Sequence, residues 1–147
     1  MGVMATPEVV TQLNSFLRGE ISAVETYTEA LEKVKDENAR EELQTALRSH
    51  QSRVDTLTRR IQELGGKPVH GSGPWGAFTR LLEKGASLVG DRAAIAVLEE
   101  GEDHGLRDYR VDLSKLDTET RRLVEQEILP AQQSTHRALS TLKAALH

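Results

Sequence analysis

The sequence contains no cysteine, and this absence excludes several kinds of site at once. Disulfide bonds, zinc sites built on thiolates, iron–sulfur clusters and thiol catalysis all require cysteine. Any metal ion would therefore have to be bound by histidine, aspartate or glutamate. The chain has 5 histidines and 23 acidic residues from which such a site could be built.

Aromatic residues and long apolar segments are also scarce. Aromatics make up only 3% of the 147 residues, while alanine, leucine, glutamate and arginine dominate the long segments, which favours helix over sheet. No segment is apolar over the length of a membrane span, so we expect no membrane partner. The first residues lack the basic region and apolar stretch of a signal peptide, and we expect a cytoplasmic protein.

Neither sign of charge dominates the chain. Its 19 basic and 23 acidic residues leave a formal net charge of -4, and they are not gathered into long blocks. Nucleic acids attract clustered basic residues, so we expect no nucleic-acid partner. The length suits one compact domain over residues 1–147. A homo-oligomer is compatible with the sequence, because the edges of its apolar stripes could pack against a second copy.

Four long segments carry apolar residues at alternating steps of four and three, which is typical of helices packed in a bundle. Thr6, Pro7 and Glu8 form a start signal for the first helix, and Gly65 with Gly66 forms a stop signal for the second. A shorter amphipathic segment lies in the middle connection. We predict helices over residues of about 7–35, 38–64, 75–89, 91–116 and 118–146.

The connections between these helices differ in length. Tight turns around Asp36 and Asp117 join the first helix to the second and the third long helix to the fourth. The middle connection is much longer and contains the short extra helix. A connection of this length could return the chain along the bundle, so that the third long helix runs parallel to the second, as in ferritin-like topology. A plain up-and-down bundle stays open, and no internal repeat is strong enough to argue from.

One ionisable residue interrupts the middle of the apolar stripe in each of the first three long helices: Glu20, His50 and Glu102. A carboxylate without a partner in a dry core costs several kcal/mol, so these side chains need partners. Glu20 lies 16 residues before Asp36 and His50 lies 14 residues after it, which places the two at the same height in the bundle. A bound cation would satisfy them.

A fourth candidate ligand, His136, is placed less directly. Glu102 lies 15 residues before Asp117 and His136 lies 19 residues after it, a mismatch of about one helical turn. His136 also lies at the edge of its stripe, so its direction depends on a bend expected at Pro130.

Three stretches of the sequence resemble uncharacterised bacterial proteins of the ferritin-like superfamily: GEISAVETY at residues 19–27, EEGEDHGLRDY at 99–109 and ILPAQQSTH at 128–136. Di-iron sites in ferritin-like bundles use a Glu from each of two helices and a Glu-x-x-His motif from each of the other two. The resemblance therefore implies a ferritin-like four-helix bundle with a metal site. Its implied ligands are Glu20, His50, Glu102 and His136.

The chain departs from that pattern at two positions. Leu47 and Gln133 stand three residues before His50 and His136, where the pattern has bridging carboxylates. Two divalent ions side by side need that negative charge, so ferroxidase activity is disfavoured. Two Glu and two His could still bind one divalent ion, with iron, zinc or manganese as occupants. Side chains that could bond to the ligands are Glu25, Tyr27, Tyr109 and Gln132.

Two functions follow as expectations. The first is a metal-binding ferritin-like protein that acts in metal handling or weak oxidative chemistry. The alternative is a non-enzymatic helical bundle, for interaction or stress response, with a vestigial site. Under the alternative, Glu20 and Glu102 would bond to protein groups and bind no ion.

Overall fold

A computed structural model describes residues 7–72 and 90–146, and in these ranges the chain is helical without strands. Helix α1 spans Pro7–Lys33, α2 spans Glu37–Glu63 and α3 spans Asp91–Val111, followed by the 3-10 turn Asp112–Lys115. Helix α4 is continuous over three segments: Thr118–Leu123, the π-helical Val124–Ile128 and Leu129–Ala145. The predicted all-α four-helix bundle is confirmed. The short helix predicted over 75–89 lies outside the described residues.

The helix ends follow local chemistry. Asp36 caps α2 by accepting a hydrogen bond from the amide of Ala39 at 2.8 Å, and Asp117 caps α4 by accepting one from Thr120. Such caps satisfy amides that have no partner inside the helix. Gly65 ends α2 with a φ of 79°, a left-handed conformation that favours glycine. Helix α3 ends at Val111, earlier than the predicted 116, because the backbone tightens into the 3-10 turn.

Contacts between the helix ends determine the direction of α3. Asp91, at its start, accepts hydrogen bonds from the amides of Lys35 and Asp36 in the turn between α1 and α2. Asp112, just past its end, accepts one from Gln12 near the start of α1. Helix α3 is therefore antiparallel to α1 and parallel to α2. The end of α2 and the start of α3 therefore lie at opposite ends of the bundle.

Helix α4 then runs back beside α2 and α3. Arg60, near the end of α2, bonds to Thr120 and Asp117 at the start of α4, so α2 and α4 are antiparallel. The directions are up, down, down, up, and the parallel arrangement that the sequence left open is the one observed. No helix in the described ranges has the length and apolar character that crossing a membrane would require.

A polar layer divides the core into two apolar clusters. One cluster lies at the end where α1 turns into α2 and includes Val34, Leu43, Ile95 and Leu142. The other lies at the opposite end and contains, among others, Leu13, Leu57, Ile61, Leu116 and Ile128. The polar layer between them consists of Glu20, His50, Arg53, Glu102, Gln132 and Thr135, each at most 5% exposed. The two clusters thus keep this group of charges away from bulk water.

A π-helical segment, Val124–Ile128, lies directly before Pro130 in α4. Proline has no amide hydrogen to donate within a helix, and its ring crowds the carbonyl four residues earlier. A wider turn accommodates such an interruption without ending the helix. The sequence predicts a bend at Pro130, and what the structure shows there is a local π turn just before the proline.

Candidate functional site

The imidazole of His50 bridges two carboxylates at the centre of the polar layer. Its Nδ1 lies 2.5 Å from Oε1 of Glu20, and its Nε2 lies 2.6 Å from Oε2 of Glu102. An ionised carboxylate can only accept hydrogen bonds, so both ring nitrogens must donate. His50 is therefore a buried imidazolium, and the structure brings together the three ionisable residues that interrupt the apolar stripes.

Arg53 is the second cation of the layer and lies one turn after His50 on α2. Its guanidinium donates to Oε2 of Glu20 at 3.3 Å, to the side-chain oxygen of Gln132 and to the hydroxyl of Thr135 at 2.9 Å. A guanidinium stays protonated in proteins. Two carboxylates therefore face two cations, and the formal charge of the layer is zero.

Neutral donors complete the bonds to the carboxylates. Tyr109 donates to Oε2 of Glu20 at 2.5 Å, and Tyr27 donates to Oε2 of Glu102 at 2.6 Å. The other carboxylate oxygen of Glu102 accepts bonds from Thr135 at 2.5 Å and from Gln132 at 3.1 Å. Both tyrosines and Gln132, which the sequence placed near the candidate ligands, thus bond directly to the glutamates.

The charges in the layer shift the pKa of both carboxyl groups downward. Burial by itself would raise the pKa of Glu20, but the charges of Arg53 and His50, with the hydrogen bonds from His50 and Tyr109, lower it from 4.5 to about 2. Burial opposes ionisation of Glu102 in the same way, and His50 with Arg53 again lowers the pKa. Both glutamates are therefore ionised at neutral pH.

The same charges favour the protonated forms of their partners. Burial would lower the pKa of His50, but the carboxylates of Glu102 and Glu20 raise it above 6.5. Burial and the neighbouring glutamate raise the pKa of Tyr27 and of Tyr109 well above 10. The tyrosines are therefore neutral hydrogen-bond donors across the physiological pH range.

The residues of the network fall into two sets, and each position of the first set recurs 82 residues later in the second. Helices α1 and α2 supply the first copy, and α3 and α4 supply the second. The matching pairs are Glu20 and Glu102, Tyr27 and Tyr109, His50 and Gln132, and Arg53 and Thr135. Each glutamate bonds to the tyrosine of the other copy. The bundle therefore has an internal repeat that the sequence analysis did not detect, although Gly-Glu-x₆-Tyr occurs at both 19–27 and 101–109.

Two of the predicted site residues lie outside the layer. His136 is 29% exposed, and its Nε2 lies 3.6 Å from a carboxylate oxygen of Asp103 on the surface. It follows the inward-facing Thr135 by one residue, a rotation of about 100° around the helix. Glu25 is exposed on α1.

Arg53 and Thr135 are the members that the sequence analysis missed. Arginine is rarely buried, and Thr135 matched an apolar stripe. Arg53 lies three residues after His50, and Thr135 lies three residues after Gln132. Residues with this spacing share one face of a helix, and that was the available signal that Arg53 and Thr135 belong to the layer.

The donor set of the layer does not fit a two-metal centre. Both nitrogens of His50 are used to donate to carboxylates, and Arg53 holds a permanent positive charge against Glu20. A divalent cation there would meet a like charge in a medium of low dielectric constant. Within residues 7–72 and 90–146, no group of three or more His, Asp or Glu side chains is arranged to hold a metal ion.

A small cavity lies beside the polar layer, between α1 and α3. Its volume is about 30 Å³, and Ser15, Gly19, Gly105 and Asp108 line it together with Glu20. A cavity of this size can hold a water molecule where polar groups are within reach, and Ser15, Asp108 and Glu20 are among its lining residues.

A family model described as a domain of unknown function (DUF2383) matches residues 8–115 of the chain. The matched range includes Glu20, His50 and Glu102 and ends before α4. No curated protein and no solved structure matches the sequence.

Proposed function

Because the chain belongs to the DUF2383 family of unknown function, we propose a role for it from its own buried polar layer. The protein is a ferritin-like helical bundle that serves as a non-enzymatic interaction or stress-related module. In the place where related bundles hold metal, it has an ion-pair network made only of protein groups. The single observation that carries this proposal is the charge balance of two carboxylates against His50 and Arg53.

The carboxylates are already satisfied by protein donors. Glu20 accepts hydrogen bonds from His50, Arg53 and Tyr109. Glu102 accepts them from four side chains: His50, Tyr27, Gln132 and Thr135. A metal ligand needs a free lone pair aimed at the ion, and a carboxylate has about four such positions. Binding an ion would therefore require several of these bonds to break.

The topology supports the ferritin-like part of the proposal. Helices that run up, down, down and up, with one long crossover, are the arrangement of ferritin-like bundles. Ligands from facing helices meet in the middle of such bundles, which is where the polar layer lies between the two apolar clusters. The resemblance of residues 19–27 and 99–109 to ferritin-like proteins agrees with this arrangement.

The network gives the bundle specificity. Each of the four helices contributes at least one member, and a shift of one turn in any helix would leave a charge or a polar group without its partner in the core. Removing one partner of a buried ion pair costs about 3–5 kcal/mol. The network therefore selects one register of the four helices, which preserves the shape of the outer surface.

Metal titration tests the proposal. Protein prepared without chelator is analysed for bound elements and titrated with Fe(II), Mn(II) and Zn(II) by calorimetry. We expect no stoichiometric binding and no metal-dependent rise in melting temperature. One bound equivalent that disappears in Glu20→Gln, but persists in the exposed control Glu25→Gln, would contradict it.

A second candidate is a mononuclear metal site, and one observation favours it. Nδ1 of His50 faces a carboxylate oxygen of Glu20 and Nε2 faces one of Glu102, so loss of one proton from the imidazolium would leave a nitrogen lone pair directed at one carboxylate. Iron, zinc or manganese would then compete with the proton of His50. The titration above, repeated as the pH is raised, would show binding that tightens with pH. Cytoplasmic location and self-association remain predictions.

A further inference from the structure

We infer that four residues of the polar layer, His50, Arg53, Gln132 and Thr135, occupy the positions of metal ligands in a two-metal bundle site. The Arg53 guanidinium takes the place of the bound cations. This inference rests on the proposed function, in which the network is made only of protein groups. It adds which ligand position of a two-metal site each of the four residues occupies. It predicts that the chain can be converted into a binder of divalent cations by substitution at those positions alone.

The assignment follows from which residues face inward. A two-metal site takes one Glu from each of two helices and a Glu-x-x-His pair, spaced by three residues, from each of the other two. On α2 the inward pair with this spacing is His50 and Arg53, and on α4 it is Gln132 and Thr135. Members of both pairs bond to Glu20 or Glu102. The 82-residue repeat matches one pair to the other position by position.

This register differs by three residues on α2, and by one on α4, from the register implied by sequence resemblance. That earlier register used Leu47 with His50 and Gln133 with His136. Leu47 packs against the apolar cluster at the turn between α1 and α2, and His136 pairs with Asp103 near the surface. His50 therefore stands at the Glu position of its motif, and Arg53 stands at the His position.

Charge and position explain why Arg53 can replace a cation. Its guanidinium bonds to Glu20 on α1 and reaches across the layer to Gln132 and Thr135 on α4. The Arg53 guanidinium thus lies between Glu20, which belongs to the first copy of the repeat, and the two ligand positions on α4, which belong to the second copy. A two-metal site has four carboxylates against two divalent ions. Here two carboxylates face two monovalent cations. Compared with the two-metal site, both the negative and the positive charge are halved, and the layer stays neutral.

The test restores the ligands. A variant with His50→Glu, Arg53→His, Gln132→Glu and Thr135→His is titrated with Co(II) and followed by visible absorption, calorimetry and thermal melting. We expect two equivalents bound per chain and ligand-field bands in the visible range. At a metal concentration of about 100 times Kd, the melting temperature should rise by about 5–10 °C.

A matched control instead creates Glu-x-x-His at the positions implied by sequence resemblance, residues 47–50 and 133–136. It carries Leu47→Glu and Gln133→Glu, which also add two carboxylates to α2 and α4, and we expect it to bind no Co(II) stoichiometrically. If the four-substitution variant does not fold without metal, Arg53→His alone provides the test. It removes the permanent charge beside Glu20, and we expect one bound equivalent, whereas Arg53→Gln should bind none.

The outcomes separate the two proposals. Binding by the control, or a folded four-substitution variant that binds no metal, would overturn the assignment of positions. Failure of Arg53→His to bind any Co(II) would overturn the role of Arg53 as the replacement cation. Stoichiometric binding by the unaltered protein would instead overturn the proposed function, and the comparison of the two registers would still decide the assignment.

Discussion

The substitution Glu20→Gln tests the ionic character of the polar layer most directly. Glutamine has nearly the same shape but only one accepting oxygen, so the change removes the charge and also the acceptor for either His50 or Tyr109. The variant leaves the buried cations His50 and Arg53 with one carboxylate between them. We therefore expect the variant to be less stable than the unaltered protein at neutral pH.

The size of the effect follows from the pKa of Glu20. A shift from 4.5 to about 2, at 1.36 kcal/mol per unit, corresponds to about 3 kcal/mol of stability. For a chain of 147 residues this lowers the melting temperature by about 6–12 °C. Because the folded pKa is depressed, this contribution is present above pH 4.5 and is lost as the pH falls toward 2.

Urea unfolding followed by circular dichroism, at pH values from 3 to 7, measures the difference between the two proteins. We expect a difference of at least about 3 kcal/mol above pH 5, of which the part due to the charge falls by about 1.4 kcal/mol per pH unit below pH 4.5. Glu25→Gln, on the exposed face of the same helix, should stay within about 0.5 kcal/mol of the unaltered protein. A difference that does not change with pH would refute the ionised state of Glu20.

Three further predictions concern other residues in and beside the polar layer. The pKa of His50 is raised in the folded state, so its contribution to stability is complete below pH 6.5 and is lost as the pH rises through that raised pKa. Nitrogen NMR at pH 7 should show both ring nitrogens of His50 protonated. A neutral tautomer would contradict this. Tyr27→Phe and Tyr109→Phe should each cost about 1.5–3 kcal/mol in urea unfolding, because each tyrosine donates to a charged carboxylate; a loss at only one of them would argue against equivalent roles in the repeat. Gly105→Ala places a Cβ 2.9 Å from Nε2 of Gln132 and should cost about 1–3 kcal/mol, whereas Gly71→Ala, with open space around it, should be nearly neutral.

Much of the fold could be predicted because helix periodicity is a local property. Apolar residues at steps of three and four mark the buried face of each helix, whatever it packs against. The predicted range of 7–35 agrees with Pro7–Lys33 to within two residues at each end. The same periodicity placed Glu20, His50 and Glu102 in the core, where all three lie.

The partners of those residues could not be predicted in the same way. His136 and Arg53 each lie one residue away from a position on the predicted stripe, and about 100° of rotation decides whether such a side chain reaches the core. Arg53 reaches it and His136 does not. Periodicity alone does not distinguish them, because the packing of the neighbouring helices sets the final rotation.

The sequence by itself determined that this protein is a bundle of four helices and that its core contains charges in need of partners. Both follow from residue types and spacing within single helices. Only the tertiary structure decided that α3 runs parallel to α2, because contacts between distant helix ends establish direction. It also decided that Glu20 is paired with the imidazolium of His50 and the guanidinium of Arg53. Complementary charges on different helices meet only after the helices pack.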